Sequence, residues 1–184
     1  MPDTTPMPPP FSTRLATHDD VQPLVALVNS VYRGESSRAG WATEEALLGG
    51  VRIDADRLTA DLEADGSAIL VHEDGGELLA CVHLERTGDG CYLGMLTTKP
   101  TLQDRGLGRQ MLAAAEAWAV ATWHSREMHM TVIVQRESLI AWYERRGYAR
   151  TGERKPFPYG DERWGLPKRD DLEFVVLKKA LPAG

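Results

Sequence analysis

Gln103-Asp104-Arg105-Gly106-Leu107-Gly108 joins a strand-like run to a long amphipathic helical pattern, and this junction constrains the chain more than any other segment. Two close glycines at a strand-to-helix turn let backbone approach a ligand without interference from a Cβ. The first N–H groups of a helix have no internal partners and point outward along its axis. Together with the helix dipole they make an anion site, most often for phosphate. The bland reading of the same six residues is an ordinary helix start with a glycine turn, so the flanking elements have to decide.

Those elements alternate in type. Phe11–Thr17 reads as a short first strand. Asp19 or Asp20 then caps a helix whose apolar side carries Val21, Leu24, Val25, Leu27, Val28 and Val31. Gly34–Gly40 reads as a loop, Trp41–Gly50 as a helical turn, and Asp54–Ala64 as a second helix. Ala68–Glu73 and Glu77–Arg86 flank the turn residues Asp74-Gly75-Gly76, a hairpin signal, and Gly88-Asp89-Gly90 turns into a third strand, Cys91–Thr98. After the glycine loop, Leu107, Met111, Ala114, Ala115, Trp118 and Ala119 share one helix face, small enough to pack closely on a sheet. Met128–Gln135 is a β-branched strand, Ser138–Arg146 a helix ending at Gly147, and Tyr148–Arg154 a strand. Lys155–Asp171 reads as a polar loop and Leu172–Lys178 as the last strand. The order β-α-α-β-β-β-α-β-α-β-β predicts an α+β (mixed α/β) fold: a central mixed, mostly antiparallel sheet of about seven strands flanked by helices.

Length and composition are compatible with that reading. Residues 1–10 are Pro-rich and read as a disordered tail, leaving 11–184 as a single domain with a sizeable core. A net charge of −6 argues against a nucleic-acid partner, and no apolar run is long enough to span a membrane. Cys81 and Cys91 fall in adjacent predicted strands and read as reduced core thiols. No Cys/His cluster has metal spacing, and without a secretion signal the expected compartment is the cytoplasm.

The glycine loop resembles the pyrophosphate loop of the GNAT acyl-CoA N-acetyltransferases, written (Gln/Arg)-x-x-Gly-x-(Gly/Ala). Leu96-Thr97-Thr98-Lys99-Pro100 is similar to the strand end that precedes it in that family. Leu139-Ile140-Ala141-Trp142-Tyr143-Glu144-Arg145-Arg146-Gly147-Tyr148 is similar to the family's Leu-Tyr-Glu-Lys-x-Gly-Phe segment. The resemblance runs from about Phe11 to Leu181 and implies the GNAT-type fold, an N-acetyltransferase domain and acetyl-CoA as co-substrate. It implies that the backbone from Gln103 through Asp104, Arg105, Gly106, Leu107, Gly108 and Arg109 holds the pyrophosphate, with Arg105 and Arg109 adding charge unless they are merely solvated surface. Leu96, Thr97 and Thr98 would pair with the pantetheine arm, and the amide near Leu96 would face the thioester oxygen.

Tyr143 stands where the family places its general acid. Proton transfer from an ordinary tyrosine, of pKa about 10, to an ordinary thiolate, of about 8.5, is uphill, so a hydrogen bond to the developing thiolate is the more economical role. Read structurally, Tyr143 is a core residue on the apolar face with Leu139 and Trp142. Two positions depart from the family. Arg136 stands where an Asn often touches pantetheine, and an arginine cannot accept a hydrogen bond. Gly94 stands where many members carry a glutamate base, so the proton must leave through another group or through water; His83, Glu85 and Glu137 are candidates. Tyr32, Trp41 and His83 are the expected acceptor contacts, with Phe157, Tyr159 and Trp164 adding aromatics nearby. The leading expectation is direct transfer of the acetyl group to a small-molecule primary amine. A protein or peptide amine, or a non-catalytic acyl-CoA-binding module, is the alternative. A homodimer is expected only by analogy with the fold.

Overall fold

The computed structural model describes residues 11–33, 43–103 and 105–183. The chain opens with β1 (Arg14–Leu15) and α1 (Val21–Tyr32), followed by β2 (Leu48–Gly49) and α2 (Ala55–Glu63). A meander of β3 (Ser67–Asp74), β4 (Glu77–Thr87) and β5 (Gly90–Thr98) leads into α3 (Leu107–Trp123). Then come β6 (Glu127–Ile133), α4 (Glu137–Glu144), β7 (Ala149–Pro156), β8 (Leu166–Pro167) and β9 (Glu173–Ala180). Seven strands form one sheet in the order β1-β3-β4-β5-β6-β9-β7, as the alternation of patterns predicts. Every neighbouring pair is antiparallel except β5 and β6. No helix among the described residues is long and apolar enough to cross a membrane.

Helices cover both faces of the sheet, which is why β3 reads as a continuous buried run from Ala68 to Val71. On one face Leu70, Val82, Leu84 and Leu93 pack under Met111, Leu112, Ala115 and Ala119 of α3 and Ile140 of α4. On the other, Ile69, Val71, Cys81 and Met95 pack under Leu24, Val28 and Val31 of α1 and Leu58 of α2. The α1 residues recur at i, i+4 and i+7, the stripe expected of a helix laid on a sheet.

The local signals act as expected at some ends and differently at others. Asp54 caps α2 by accepting from the Arg57 N–H at 2.8 Å. Asp20 stands at the start of α1, but its carboxylate turns back to the Thr17 N–H at 2.8 Å and to Arg14. It thereby closes the single 3-10 turn His18–Asp20 before the helix. The first strand is shorter than the pattern Phe11–Thr17, because only Arg14 and Leu15 meet β3. The helical turn expected at Trp41–Gly50 is instead a turn at Glu45–Leu47 followed by β2; its first two residues and the Gly34–Gly40 loop lie outside the described residues. β2 pairs with β8, which interrupts the predicted Lys155–Asp171 loop: Leu48 faces Pro167 and Gly49 faces Leu166. Two-residue strands carry no period, so a ribbon joined across more than a hundred residues leaves no sequence signal.

Both cysteines are free and buried. Burial pushes the Cys81 and Cys91 thiols up to about 12. Almost no thiolate then exists near neutral pH, and the thiolate is the reactive form. An aromatic disulfide reagent is therefore expected to label neither cysteine in the native protein and both after denaturation. Rapid labelling of either one in the folded state would contradict this packing.

Candidate active site

The site begins with an irregularity in β5. Cys81 of β4 faces Thr97 and His83 faces Gly94, so Met95 and Leu96 together oppose Val82. One extra residue on one strand is a β-bulge. Met95 takes it up with φ 55, a left-handed conformation rare for a side chain of its size. The bulge reverses the alternation of β5: Leu93 faces the α3 side and Met95 the α1 side. It also reassigns polar groups. The Met95 carbonyl accepts from the Thr97 hydroxyl at 2.9 Å, and the Leu96 carbonyl accepts from the Tyr32 hydroxyl. On its other edge β5 pairs with β6 only from Gly90 to Tyr92, and the two strands part beyond that point.

The parting opens a cavity of about 410 Å³ between the end of β5, the start of α3 and α4. Leu96, Thr98, Gln103, Gly106, Gly108, Arg109 and Arg136 all line it. Gly106 is the N-cap of α3 with φ 78, which L side chains rarely adopt. The next three N–H groups are the unpaired first turn of the helix. A Cβ on Gly108 would lie 3.4 Å from the Trp142 ring and 3.9 Å from the Thr98 hydroxyl, so a larger side chain there narrows this cavity. Arg146 lies over the Trp142 ring at 3.7 Å and donates to the Trp142 carbonyl at 2.7 Å. With Arg109 and Arg145 it lines the cavity with guanidinium groups, facing the helix start. The arrangement suits a polyanion. Sequence reasoning quoted Arg145 and Arg146 within a motif and gave them no role. The remaining predicted contacts fall elsewhere. Thr97 and Leu107 are buried in the protein interior, Arg105 is exposed away from the lining, and Asp104 lies outside the described residues.

A second, smaller cavity of about 90 Å³ lies beyond. Tyr32, Leu96, Arg136, Leu139 and Tyr143 line both cavities and form the passage between them. The inner wall holds a charged cluster that no sequence motif announced. Glu44 binds Arg33 through one oxygen and Arg136 through the other, the latter at 3.0 Å. The three side chains are 11%, 4% and 8% exposed. Burial pushes the Glu44 carboxyl up, but Arg136, Arg33 and Arg52 outweigh it and hold its pKa below the ordinary value. Glu44 is thus a fixed anion. Arg52 and Arg136 each lie 5.7 Å from the centre of the Tyr32 ring.

Tyr143 is buried against Trp142 and Tyr148, with ring centres 5.0 and 5.7 Å away. Among the described residues its hydroxyl makes no hydrogen bond, and the residue lines the passage. Burial raises its pKa, so the phenol remains a neutral donor. At Gly94 a Cβ would lie 3.1 Å from the Tyr92 ring, so a base at that position would require the ring to shift. His83 does not reach the passage. It lines a neighbouring hollow with Glu85, and its Nε2 lies 2.7 Å from the Ser67 hydroxyl. That hydroxyl already donates to the Asp61 carbonyl, so Nε2 carries the proton, and burial holds the ring neutral by lowering its pKa. Glu137 is exposed on α4, and Trp41 lies outside the described residues. Phe157 and Trp164 line the inner cavity, whereas Tyr159 ties its own loop to the Arg169 carbonyl and the Leu172 N–H. No cluster able to hold a metal ion occurs among the described residues.

The profile of the acetyltransferase (GNAT) family matches residues 30–148. No curated protein sequence matches the chain significantly. Solved structures of the same fold include the ribosomal-protein-S18-alanine N-acetyltransferase of Escherichia coli, 12% identical, with a TM-score of 0.68 over 95% of this chain and 96% of that one. The ribosomal-protein-alanine N-acetyltransferase of Brucella melitensis is 19% identical, with a TM-score of 0.69 over 92% and 99%. Mutant forms of the spermidine/spermine N-acetyltransferase SpeG of Vibrio cholerae are 15% identical, with a TM-score of 0.64 over 92% and 94%.

The buried cluster sets a stability prediction. Glu44→Gln leaves Arg33 and Arg136 charged and unneutralised, and breaking a buried pair in this way costs about 3–5 kcal/mol. Denaturant unfolding measures it, and a loss under ~1 kcal/mol would show that the cluster is not buried as described. The acid limb follows the same sign. A carboxylate whose folded pKa is depressed contributes stability above its ordinary value of 4.5, and that contribution is lost as pH falls through the lowered value. Wild type is therefore expected to lose stability below that pH more steeply than Glu44→Gln.

Proposed function

This chain belongs to the GNAT acetyltransferase family, and from that premise we propose that it transfers the acetyl group of acetyl-CoA directly to the amine of a small molecule. Acetyl-CoA is the co-substrate of the family, and it supplies the thioester carbonyl and the thiol leaving group. The observation that carries the reading is the passage at Tyr143, where a cavity with a guanidinium-lined helix start meets a smaller one with charged side chains in its wall.

The residues divide the work by position. The N–H groups of Leu107, Gly108 and Arg109 open α3 and bind the pyrophosphate, helped by Arg109 and Arg146. The edge of β5 that β6 leaves unpaired after Tyr92 takes the pantetheine amides as a further strand would. Leu96 lines both cavities, so its peptide belongs to the transfer point. Tyr143 donates a hydrogen bond to the departing sulfur; its raised pKa suits a donor that stays neutral until negative charge develops beside it.

The incoming amine must lose a proton, and an alkylammonium has a pKa of about 10.4. Glu44 is a poor base because its arginines hold it ionised. Arg33, Arg52 and Arg136 against Glu44 leave the inner wall with an excess of positive charge. A like-charged wall depresses an ammonium pKa, which lets water carry the proton away. The size of the inner cavity favours a small acceptor over a peptide, which would need an open groove.

Release of free thiol from acetyl-CoA with a panel of small amines tests the reading directly. Acetyl-CoA at ~100 times its dissociation constant is expected to stabilise the protein by about 2.7 kcal/mol. Gly108→Val should lose most of that stabilisation while its unliganded melting stays near wild type. A folded variant with full cofactor affinity would refute this placement of the phosphates. Tyr143→Phe should lower kcat by ~10²-fold with cofactor affinity nearly unchanged. Wild-type turnover in Tyr143→Phe, where chemistry limits the rate, would remove the hydroxyl from the mechanism.

A further inference from the structure

The inner cavity is one-sided in charge. Among the described residues lining it, the cations are Arg33, Arg52 and Arg136 and the anion is Glu44. Glu44 spends both oxygens on Arg33 and Arg136. Arg52 is left with the face of Tyr32, 5.7 Å from its ring centre; among the described residues its guanidinium makes no ion pair. Arg52 thus offers up to five N–H donors to a cavity whose described lining residues include no carboxylate besides Glu44.

The cavity also has a direction. Arg136 and Tyr143 stand at the passage, whereas Arg52 lines the inner cavity and the hollow next to it but not the outer cavity. An acceptor reaching the thioester with its amine therefore presents its other end to Arg52.

We propose that the acceptor is an amino acid-like zwitterion: a primary amine bearing a carboxylate or phosphonate a few bonds away, with Arg52 receiving the anionic group. This rests on the small-amine reading and narrows it. A simple polyamine brings only positive charge to a positive wall and is disfavoured, whereas an oxyanion completes bidentate hydrogen bonds with a guanidinium. The anionic group also returns part of the cost of bringing an ammonium into the cavity, and the amine next to Arg136 still feels a depressed pKa.

The test compares amino acids with their methyl esters and with the matching decarboxylated amines, and aminophosphonates with aminocarboxylates, by thiol release from acetyl-CoA. Esterification lowers the amine pKa, so intrinsic reactivity favours the ester and works against the proposal. Wild type is expected to prefer the free acids in kcat/KM by about tenfold or more, the scale of one charge-assisted interaction. Higher kcat/KM for the phosphonates identifies the dianion as the preferred group, and the reverse identifies the carboxylate; either supports the anion site. In Arg52→Gln the ratio of acid to amine is expected to fall towards one, chiefly through KM, with partial rescue in Arg52→Lys. Thiol release with amines and esters at least as good as with acids overturns the anion site and leaves acetyl transfer standing. An acid-to-amine ratio unchanged in a folded Arg52→Gln overturns the role of Arg52. Thiol release with no member of the panel, while acetyl-CoA still raises the melting temperature, overturns the small-amine reading and this one with it.

Discussion

The extra residue in β5 is the constraint on which the site depends. A regular strand would continue its ladder with β6 and keep its alternation. The bulge at Met95 and Leu96 does neither: it turns Met95 into the α1-side core, brings Leu96 to the passage and leaves the Leu96 carbonyl for the Tyr32 hydroxyl. Because β5 and β6 share only three register positions, the sheet splits at its centre without losing its core. β4 holds one side of the split and β9 the other. A cleft in the middle of a sheet exposes backbone polar groups, and such groups must find partners. An extended ligand with amide groups of its own is a fitting partner for that open edge.

The second determinant is electrostatic. Three arginines and a glutamate around one small cavity would be costly if left unpaired, and the Glu44 cluster resolves most of that cost by bonding both carboxylate oxygens. The same cluster joins three parts of the chain. Arg33 follows α1, Glu44 precedes β2, and Arg136 caps α4, so the acceptor side is assembled from segments far apart in sequence. The β2–β8 ribbon brings the Lys155–Asp171 segment onto the same wall, where Phe157 and Trp164 supply apolar surface. The aromatic residues noted in the sequence therefore divide. Some line the cavity, and Tyr159 holds its loop.

The correspondence between pattern and structure is uneven for physical reasons. Long periodic elements were readable: α1, α2, α3 and the β3–β4–β5 meander lie within a residue or two of their patterns, since a 3.6- or 2-residue period recurs often enough to stand out. Two-residue strands, the turn before β2 and the reversed Asp20 contact were not, because each depends on one distant partner. The glycine loop was readable as a turn opening a helix because its conformation is backbone chemistry, local to six residues. Glu44 was not, because within the helical turn expected at Trp41–Gly50 nothing singles it out until Arg136, 92 residues away, closes on it. His83 shows the opposite error. A histidine on a strand drew attention, yet its Nε2 donates to the Ser67 hydroxyl, which in turn donates to the Asp61 carbonyl.

The sequence by itself determined the order of the long elements, the mixed sheet, the glycine turn that opens a helix, and Tyr143 on the helix behind it. All of these follow from patterns within one element or across one turn. The tertiary structure alone decided where β5 and β6 part, that a side chain at 94 would crowd the Tyr92 ring, that Arg136 serves Glu44, and that the wall of the inner cavity is positive. Those outcomes are sums of contacts between segments remote in the chain. A charge or a bulge acquires its meaning there only when folding has chosen its neighbours.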